Sequence, residues 1–530
     1  MTSRRLVLTL LAIVAISIVV RLPHWNRPMA DSLQAKQVYV ANRARNIAQP
    51  PFNAFRSSFD FLDADGHRLE FTEEFPAYTT ILAVGYRVFG EAAWVGHALS
   101  LIGSIAAILA FFALVRQEWD DLSALIATLL LSIAPIFVFY GRAVMPDPWM
   151  LALMLASAAS YRRYLDYRDT RWLVVASLAA MGAGLFKYFG LIVFLPLAEM
   201  AWRNKNSWRG VWSRSFLGMF AAATLPMGLW MILVFFRTAN PVKSGWLDGQ
   251  VMPYLVFQAP GVILSKAFTT NLLGRFLIRD CGPIAAVLIG LDVVSRIRRP
   301  SEKSGLVLGW TVMAAAYYVL LAPKLRDHDY YELVMLPAAA LWATRGLMCH
   351  WSYSTNALPI RGKTGRVRPV ALEYGRSASR LIAMTLLIAT IVQSPWIMGT
   401  LFRQDEGKVI LAERLRALSL PGSKVVAIGP GIEFPTVIHY SHREGWPIHS
   451  PRLPANWRER LSLYQDSGAS LVAVYFEPKA TQAERDSYAP LLQALPVIER
   501  RAGLKTRLSG TSEYFILDLR PPQIATRLPR

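Results

Sequence analysis

Residues 92–115 read AAWVGHALSLIGSIAAILAFFALV, without one lysine, arginine, aspartate or glutamate. A helix needs roughly 20 apolar residues to cross the ~30 Å hydrocarbon core of a bilayer, and this stretch is long enough. Working outward from it, apolar runs of about that length recur at 6–22, 122–140, 146–164, 171–186, 188–202, 214–237, 281–295, 305–322, 331–348 and 380–401, for about eleven in all. Several are short, so tilt and snorkelling ends are expected. Composition agrees: 54% of the 530 residues are hydrophobic, only 18% are charged, and mean hydropathy is +0.31. An ordinary soluble domain of this size is excluded. The expected fold class is mainly α, a polytopic transmembrane helical bundle.

The first run, RRLVLTLLAIVAISIVV at 4–20, has a second reading as a signal peptide, because Ala15 and Ser17 have cleavage-site spacing. The apolar run continues past them, and the topology downstream is the same in either case. The two cysteines, Cys281 and Cys349, are too few for a disulfide framework or a cysteine-rich metal site and lie at opposite ends of predicted spans.

The formal net charge of +21 would suggest a nucleic-acid partner on a soluble chain. Here the basic residues sit in short loops between apolar runs and no groove-reading motif accompanies them, so no nucleic acid is expected. Basic loops stay on the cytoplasmic side. Arg4 and Arg5 therefore place the N-terminus inside, and the same side takes Arg162, Arg163, Arg168 and Arg171, then Arg203 to Arg214, Arg296 to Lys303, and Arg361 to Arg380. The outer set comprises 23–91, 141–147, Lys187, 238–280, 323–330 and everything after 401. PAYTTILAVGYRVFG at 76–90 is short for a span and carries Arg87, which predicts a helix lying along the outer interface. The 251–278 stretch, with Trp246, Tyr254 and Phe257 near its start, reads the same way.

Two domains follow: residues 1–401, with a long first outer loop at 23–91, and an extracytoplasmic α/β domain at 402–530. In the latter, strand-length runs KVVAIG, SLVAVYF and YFILDL alternate with helical patterns such as ERDSYAPLLQALPVIER at 484–500. It contains no Gly-rich phosphate loop, zinc spacing or nucleophile elbow. His439 and His442 have metal-ligand chemistry, but packing or surface histidines are the commoner case. No repeat of 20–50 residues is visible.

On this topology the polar residues a purely structural bundle would not carry fall on one side. Asp31 lies in RPMADSLQAKQ, Glu73 and Glu74 precede the interfacial segment, Arg142 and Asp147 lie in YGRAVMPDPWM, and Lys187 lies in GLFKYFG. Lys324, Arg326, His328, Tyr330 and Tyr331 come from PKLRDHDYYELVML at 323–336. Each has a plainer reading: Arg142 and Lys187 as snorkelling anchors, Asp31 as a helix N-cap, the tyrosines as an aromatic belt. Convergence of five segments and both signs of charge at one face decides for a site, since charges at span ends mark function by default. The chemistry they suit is group transfer from a membrane lipid with a phosphate leaving group. A carboxylate takes the acceptor's proton while fixed cations hold the phosphate. A transporter or lipid flippase is the competing class. It would place charges at mid-bilayer and in repeated halves, and neither is seen. A membrane scaffold with an outer interaction domain explains the spans but not the converging charges.

The ordered series of an early aspartate in a long outer loop, an acidic-x-Pro start to an interfacial helix, GRAVMPD, FKYFG and HDYYELVMLPAAAL resembles the glycosyltransferase C superfamily. Within it, residues 1–400 most resemble the bacterial glycosyltransferase family 39 type, related to protein O-mannosyltransferases and to the lipid A aminoarabinose transferase. The resemblance implies a polyprenyl-phosphate sugar donor drawn from the bilayer and a periplasmic active site on the bacterial inner membrane. It also implies inversion at the anomeric carbon and Asp31 as catalytic base. Arg142, Lys187, Lys324 and His328 would hold the donor phosphate, Tyr330 and Tyr331 the donor, and Glu73, Glu74 and Asp147 would orient the acceptor. That acceptor is a glycan, lipid or protein hydroxyl of the cell envelope, lipopolysaccharide included. Many members have a second acid directly after the aspartate, whereas Ser32 follows here, so no cofactor is expected with certainty and a divalent metal stays open.

Overall fold

The computed structural model describes residues 2–32, 34–56, 58–70, 74–237, 261–298, 305–353, 360–361, 367–368, 373–399, 401–430, 434–506 and 510–520. Glu73, Trp246 and residues 251–260 of the 251–278 stretch, with Tyr254 and Phe257, lie outside them.

Every predicted apolar run is helical. Among the described residues two helices are long and apolar enough to cross a membrane, Ala93–Glu118 and Arg214–Val234. Asp121–Ile133, Thr170–Phe186, Pro283–Val294, Gly305–Leu320 and Met384–Met398 are apolar but shorter. Three runs are not continuous α-helix. The run at 122–140 breaks into Asp121–Ile133 and Pro135–Tyr140, because Pro135 has no N–H for the ladder and clashes with the preceding turn. The run at 188–202 starts as a 3-10 turn, Tyr188–Val193, before Phe194–Lys205. The run at 331–348 starts as a 3-10 turn, Asp329–Met335, before Leu336–Tyr353. Irregular backbone at membrane depth needs partners inside the protein. Arg21 provides them at the first break: fully buried, it donates to the carbonyls of Ser17 at 2.9 Å, Ser132 at 3.1 Å and Phe137 at 3.1 Å, and to Ser17 Oγ at 2.7 Å.

At the far end of the Ala93–Glu118 helix, Glu118 accepts from Arg203 Nη1 at 2.8 Å and Nη2 at 3.0 Å and lies 2.6 Å from Arg162 Nε. Gly96 near the helix start meets Val144 so closely that a Cβ there would lie 2.6 Å from Val144 Cγ2. The two ends are separated by about 33 Å of helix, so polar layers cap the apolar bundle at both ends.

The long loop after the first apolar run forms helix Gln34–Ala48, a short hairpin and helix Ala77–Phe89. The last buries Tyr78, Leu82, Ala83 and Tyr86 and leaves Ile81, Val84, Val88 and Phe89 exposed. It is thus apolar on both its buried and its exposed face.

The C-terminal region carries a seven-stranded sheet in the order Arg68–Glu70, Ser58–Leu62, Gly445–His449, Lys424–Gly429, Ala469–Phe476, Thr511–Asp518, Val497–Lys505. Two of these strands are the first-loop hairpin, joined in parallel at Phe61↔Gly445. The middle three C-terminal strands are parallel, with Val426↔Trp446 and Val426↔Val472 in register. Their continuous apolar runs follow from burial on both faces. Val425, Ala427, Leu471 and Ala473 face Leu411, Leu415, Val437 and Ile438 together with Val38, Ala41 and Ala44 of the first loop. Val426, Ile428, Val472 and Val474 face Leu461, Tyr464 and Leu491. One expectation is corrected: the helical pattern at 484–500 yields only Gln482–Ser487 and Ala489–Ala494. Pro496 stops it, and Val497–Lys505 becomes an edge strand antiparallel to Thr511–Asp518.

His439 sits in the interface between this sheet domain and the first loop. It is buried, with Nδ1 3.4 Å from Asn42 Nδ2 and Nε2 3.8 Å from Glu91 Oε1, while its carbonyl accepts from Arg45 Nη2 at 2.9 Å. Arg45 in turn pairs with Glu91 at 2.6 Å and Asp60 at 3.2 Å. Burial first, then the Arg45 charge and His442, hold the His439 imidazole well below its ordinary value despite Glu91. A folded-state value below the unfolded one means that the unfolded state binds the extra proton as pH falls. Docking stability is therefore full above about pH 6.5 and falls below it, by at most about 1.4 kcal/mol per pH unit for one proton. Thermal melts at pH 7.5 and 5.0 should show a drop in midpoint at the lower pH that His439→Gln reduces. An equal drop in both proteins would refute this role.

Candidate functional site

Asp31 follows Pro28–Ala30 in an irregular segment before the Gln34–Ala48 helix and is only 2% exposed. Its carboxylate does not cap that helix. Oδ1 accepts from Gln37 Nε2 at 2.6 Å, and Oδ2 accepts from Arg142 Nη2 at 2.9 Å. Gln37 is locked by its other end, where Oε1 accepts from the Val144 N–H at 3.0 Å. The close Gly96–Val144 packing thus reaches Asp31 through one side chain. Arg142 lies just past the break at Pro135, is 1% exposed, and rests on the Phe402 ring at 4.5 Å.

A second buried pair lies a few residues along the same segment, linked to the first through Tyr140, two residues before Arg142, whose ring packs edge-on against Tyr330 at 6.0 Å. Asp147 begins the Asp147–Tyr167 helix between Pro146 and Pro148, where fixed backbone angles and the helix N-terminus both favour a carboxylate. Its Oδ1 accepts from Lys187 Nζ at 2.7 Å, each residue being 1% exposed. Lys187 caps Thr170–Phe186 in extended conformation (φ −162°) just before the 3-10 turn. Its ammonium stands 4.3 Å from the Tyr330 ring centre and 4.5 Å from that of Tyr331. The tyrosines are buried, 4.4 Å apart, and the His328 ring stacks on Tyr330 at 5.5 Å. Lys324 is half-buried on the short Ala322–Asp327 helix, its carbonyl accepting the His328 N–H at 2.8 Å. Glu74 pairs with Lys36 at 3.3 Å, and its carbonyl accepts from Arg43 at 3.4 Å. Among the described residues Asp147 Oδ2 is buried without a hydrogen-bond partner, an acceptor site of the kind that is costly unless used.

The structure therefore brings Asp31, Arg142, Asp147, Lys187, His328, Tyr330 and Tyr331 into one layer at the ends of the bundle helices. Sequence reading missed Gln37, which is polar in a helix of mixed composition and gives no local signal. It also missed the support beneath the tyrosines: Tyr140 donates to Asp329 at 2.5 Å, Asp329 pairs with Arg279 at 2.8 Å, Arg279 with Asp280 at 2.7 Å, and Arg275 with Glu332 at 2.5 Å.

The donor set at Asp31 does not suit a divalent cation. Both its oxygens are engaged by N–H donors, and Ser32 stands where a second acid would be needed. His439 faces Asn42 and Glu91 rather than another ligand set. Among the described residues, Asp63, Asp65 and His67 do lie close enough to share an ion, but at a distant hairpin turn where His67 is exposed.

Comparison with known proteins agrees with this architecture. Residues 74–236 match the family described as dolichyl-phosphate-mannose-protein mannosyltransferase. ArnT from Cupriavidus metallidurans bound to undecaprenyl phosphate is similar over 97% of this chain and 98% of its own, with TM-score 0.60 and 13% identity. The Archaeoglobus fulgidus oligosaccharyltransferase tethered with an acceptor peptide containing the NVT sequon is similar over 99% of this chain and 75% of its own, with TM-score 0.58 and 13% identity. The archaeal oligosaccharyltransferase AglB from Archaeoglobus fulgidus, in complex with an inhibitory peptide and a dolichol-phosphate, gives 0.55 and 13%, over 88% and 69%. No curated protein sequence matches the chain. At these identities the likeness is one of fold.

Proposed function

The chain has the glycosyltransferase C fold, and on that premise we propose that it is an inverting membrane glycosyltransferase. It takes a sugar from a polyprenyl-phosphate carrier and passes it to an acceptor hydroxyl at the outer face of a bacterial inner membrane. The observation that carries this is the pair of buried ion pairs, Asp31–Arg142 and Asp147–Lys187, at one end of an apolar bundle. Buried pairs of this kind are costly to assemble and are retained where they are used. About eleven spans with the N-terminus inside would put the Glu118–Arg203 layer in the cytoplasm and the Asp31 layer in the periplasm. The first-loop helices and C-terminal sheet would then stand outside. The undecaprenyl phosphate and the dolichol-phosphate bound by the relatives named above support this reading.

In the proposed reaction Asp31 accepts the proton of the acceptor hydroxyl as that oxygen attacks the anomeric carbon. The carbon–oxygen bond to phosphate breaks on the opposite side, and its electron pair leaves with the phosphate. Arg142 offers planar paired donors and Lys187 a compact charge to the departing phosphate, with Lys324 and His328 completing the cradle. The paired tyrosines keep the Lys187 ammonium in place. Asp147 Oδ2 and Glu74 are left to orient a hydroxyl of donor or acceptor.

Mass spectrometry of lipids that copurify with detergent-extracted protein tests the donor class. A polyprenyl phosphate, bare or glycosylated, should accompany the wild type and be depleted at least tenfold (on the order of one charged hydrogen bond) in Lys324→Ala. Bulk phospholipid alone, even after polyprenyl phosphate is added, would return weight to transport or scaffolding.

A further inference from the structure

We propose that the C-terminal domain is a positioning part of the catalytic centre, clamping the Met29–Gln34 segment that presents Asp31. The inference rests on the reading of Asp31 as the base. Residues 29–32 have no helix or strand of their own and lead into the helix that starts at Gln34, so nothing periodic dictates their shape. Their neighbours dictate it. The Met29 N–H donates to Tyr440 OH at 2.6 Å, and the Ala30 carbonyl accepts from the Asp405 N–H at 2.7 Å. The Ser32 N–H donates to the Leu401 carbonyl at 3.2 Å, and Gln34 Nε2 donates to Asp405 Oδ2 at 3.4 Å. Asp31 is therefore bracketed on both sides by groups from positions 401–405 and 440.

The clamp is anchored in the sheet. Asp405 is 3% exposed, its Oδ1 accepts from Tyr475 OH at 3.0 Å, and its Oδ2 lies 3.3 Å from Lys408 Nζ, which also reaches Glu477 at 2.9 Å. Tyr475 is on a central strand and fully buried. A rigid line thus runs from the sheet core through Asp405 to the backbone on either side of Asp31. A second line ends on the other half of the ion pair, because Phe402 lies beneath the Arg142 guanidinium and packs on Phe139 at 5.3 Å. The domain therefore holds both Asp31 and its arginine, and a catalytic group displaced by about 1 Å loses on the order of a hundredfold in rate. Tyr440, Asp405 and Phe402 are positioning residues that need not touch substrate.

Tyr440→Phe keeps the ring and removes the acceptor. Hydrogen exchange read by mass spectrometry on the full-length detergent-solubilised protein should show peptides covering Met29–Gln34 exchanging about three- to tenfold faster, the worth of one hydrogen bond. Peptides of the distant sheet face around Tyr464 should be unchanged. In a transfer assay kcat should fall, the KM for the lipid donor should stay constant, and the acid limb of the kcat/KM profile should move upward as Asp31 slackens against Arg142. A variant that merely unfolded more easily would leave that limb where it was. Unchanged exchange at Met29–Gln34 in both Tyr440→Phe and Asp405→Asn overturns the clamp whether or not transfer is observed. Accelerated exchange with no effect of Asp31→Asn on turnover would instead retain the clamp and remove Asp31 from the base role.

Discussion

Asp31→Asn is expected to abolish sugar transfer with little loss of expression or lipid occupancy, while thermal stability falls by up to about 3–5 kcal/mol because the Arg142 guanidinium is left buried without its carboxylate. Asparagine keeps the shape and one oxygen acceptor for Gln37 or Arg142, so packing of the 2%-exposed side chain survives. What is lost is the capacity to take a proton. General-base removal costs on the order of 10²–10⁴ in rate, and since the donor phosphate is held by other groups, the loss should appear in kcat. The measurement is single-turnover transfer from a glycosylated polyprenyl phosphate, with copurified lipid quantified on the same samples. Turnover within about threefold of wild type would remove Asp31 from the base role, because no placement of a general base tolerates its complete loss at that cost.

The Asp147–Lys187 pair gives the second large effect, and a double substitution separates fold from chemistry. Lys187→Met should destabilise the protein by about 3–5 kcal/mol, since it leaves the Asp147 carboxylate buried and uncompensated. Asp147→Asn/Lys187→Met removes both charges and should recover most of that stability, as replacements of whole buried pairs usually do. Transfer should stay absent in both, because the cation for the departing phosphate is missing from each. A double variant that regains stability and turnover together would show that Lys187 serves only to neutralise Asp147. The tyrosine platform beneath Lys187 gives a milder companion: Tyr330→Leu keeps apolar bulk but removes one cation–π contact, worth about 0.5–2 kcal/mol.

The two pairs explain why the irregular backbone in three apolar runs matters. An unbroken helix over 122–140 would continue past Arg142's present position and turn its side chain by about 100° per residue. Pro135 prevents this, and Arg21 donates to the carbonyls of Ser132 before the break and of Phe137 after it. Lys187 and the Tyr330–Tyr331 pair likewise stand where α-helix gives way to extended or 3-10 backbone. The irregularities are where the bundle spends its polar groups, and the rest of each run is free to be apolar.

Much of this was legible in the chain alone. Runs of apolar residues determined the helices, because burying backbone polar groups in hydrocarbon leaves no other local choice. Charge asymmetry between loops predicted one polar face, and the strand-length apolar runs at 424–429 and 470–476 between helical patterns announced a C-terminal α/β domain. The candidate residues were visible for the same reason: a charge beside a long apolar run has no cheap structural explanation. Pairings were not legible. Asp31 and Arg142 are 111 positions apart, Asp147 and Lys187 are 40, and Gln34 and Asp405 are 371. Nor did any local pattern join strand Ser58–Leu62 to Gly445–His449, since one isolated hairpin pairs as well with water as with a distant edge. Periodicity records what each residue does with its neighbours in the chain. Which carboxylate meets which cation depends on how the helices pack around Gly96, Val144 and Phe402, and only the tertiary structure decides that.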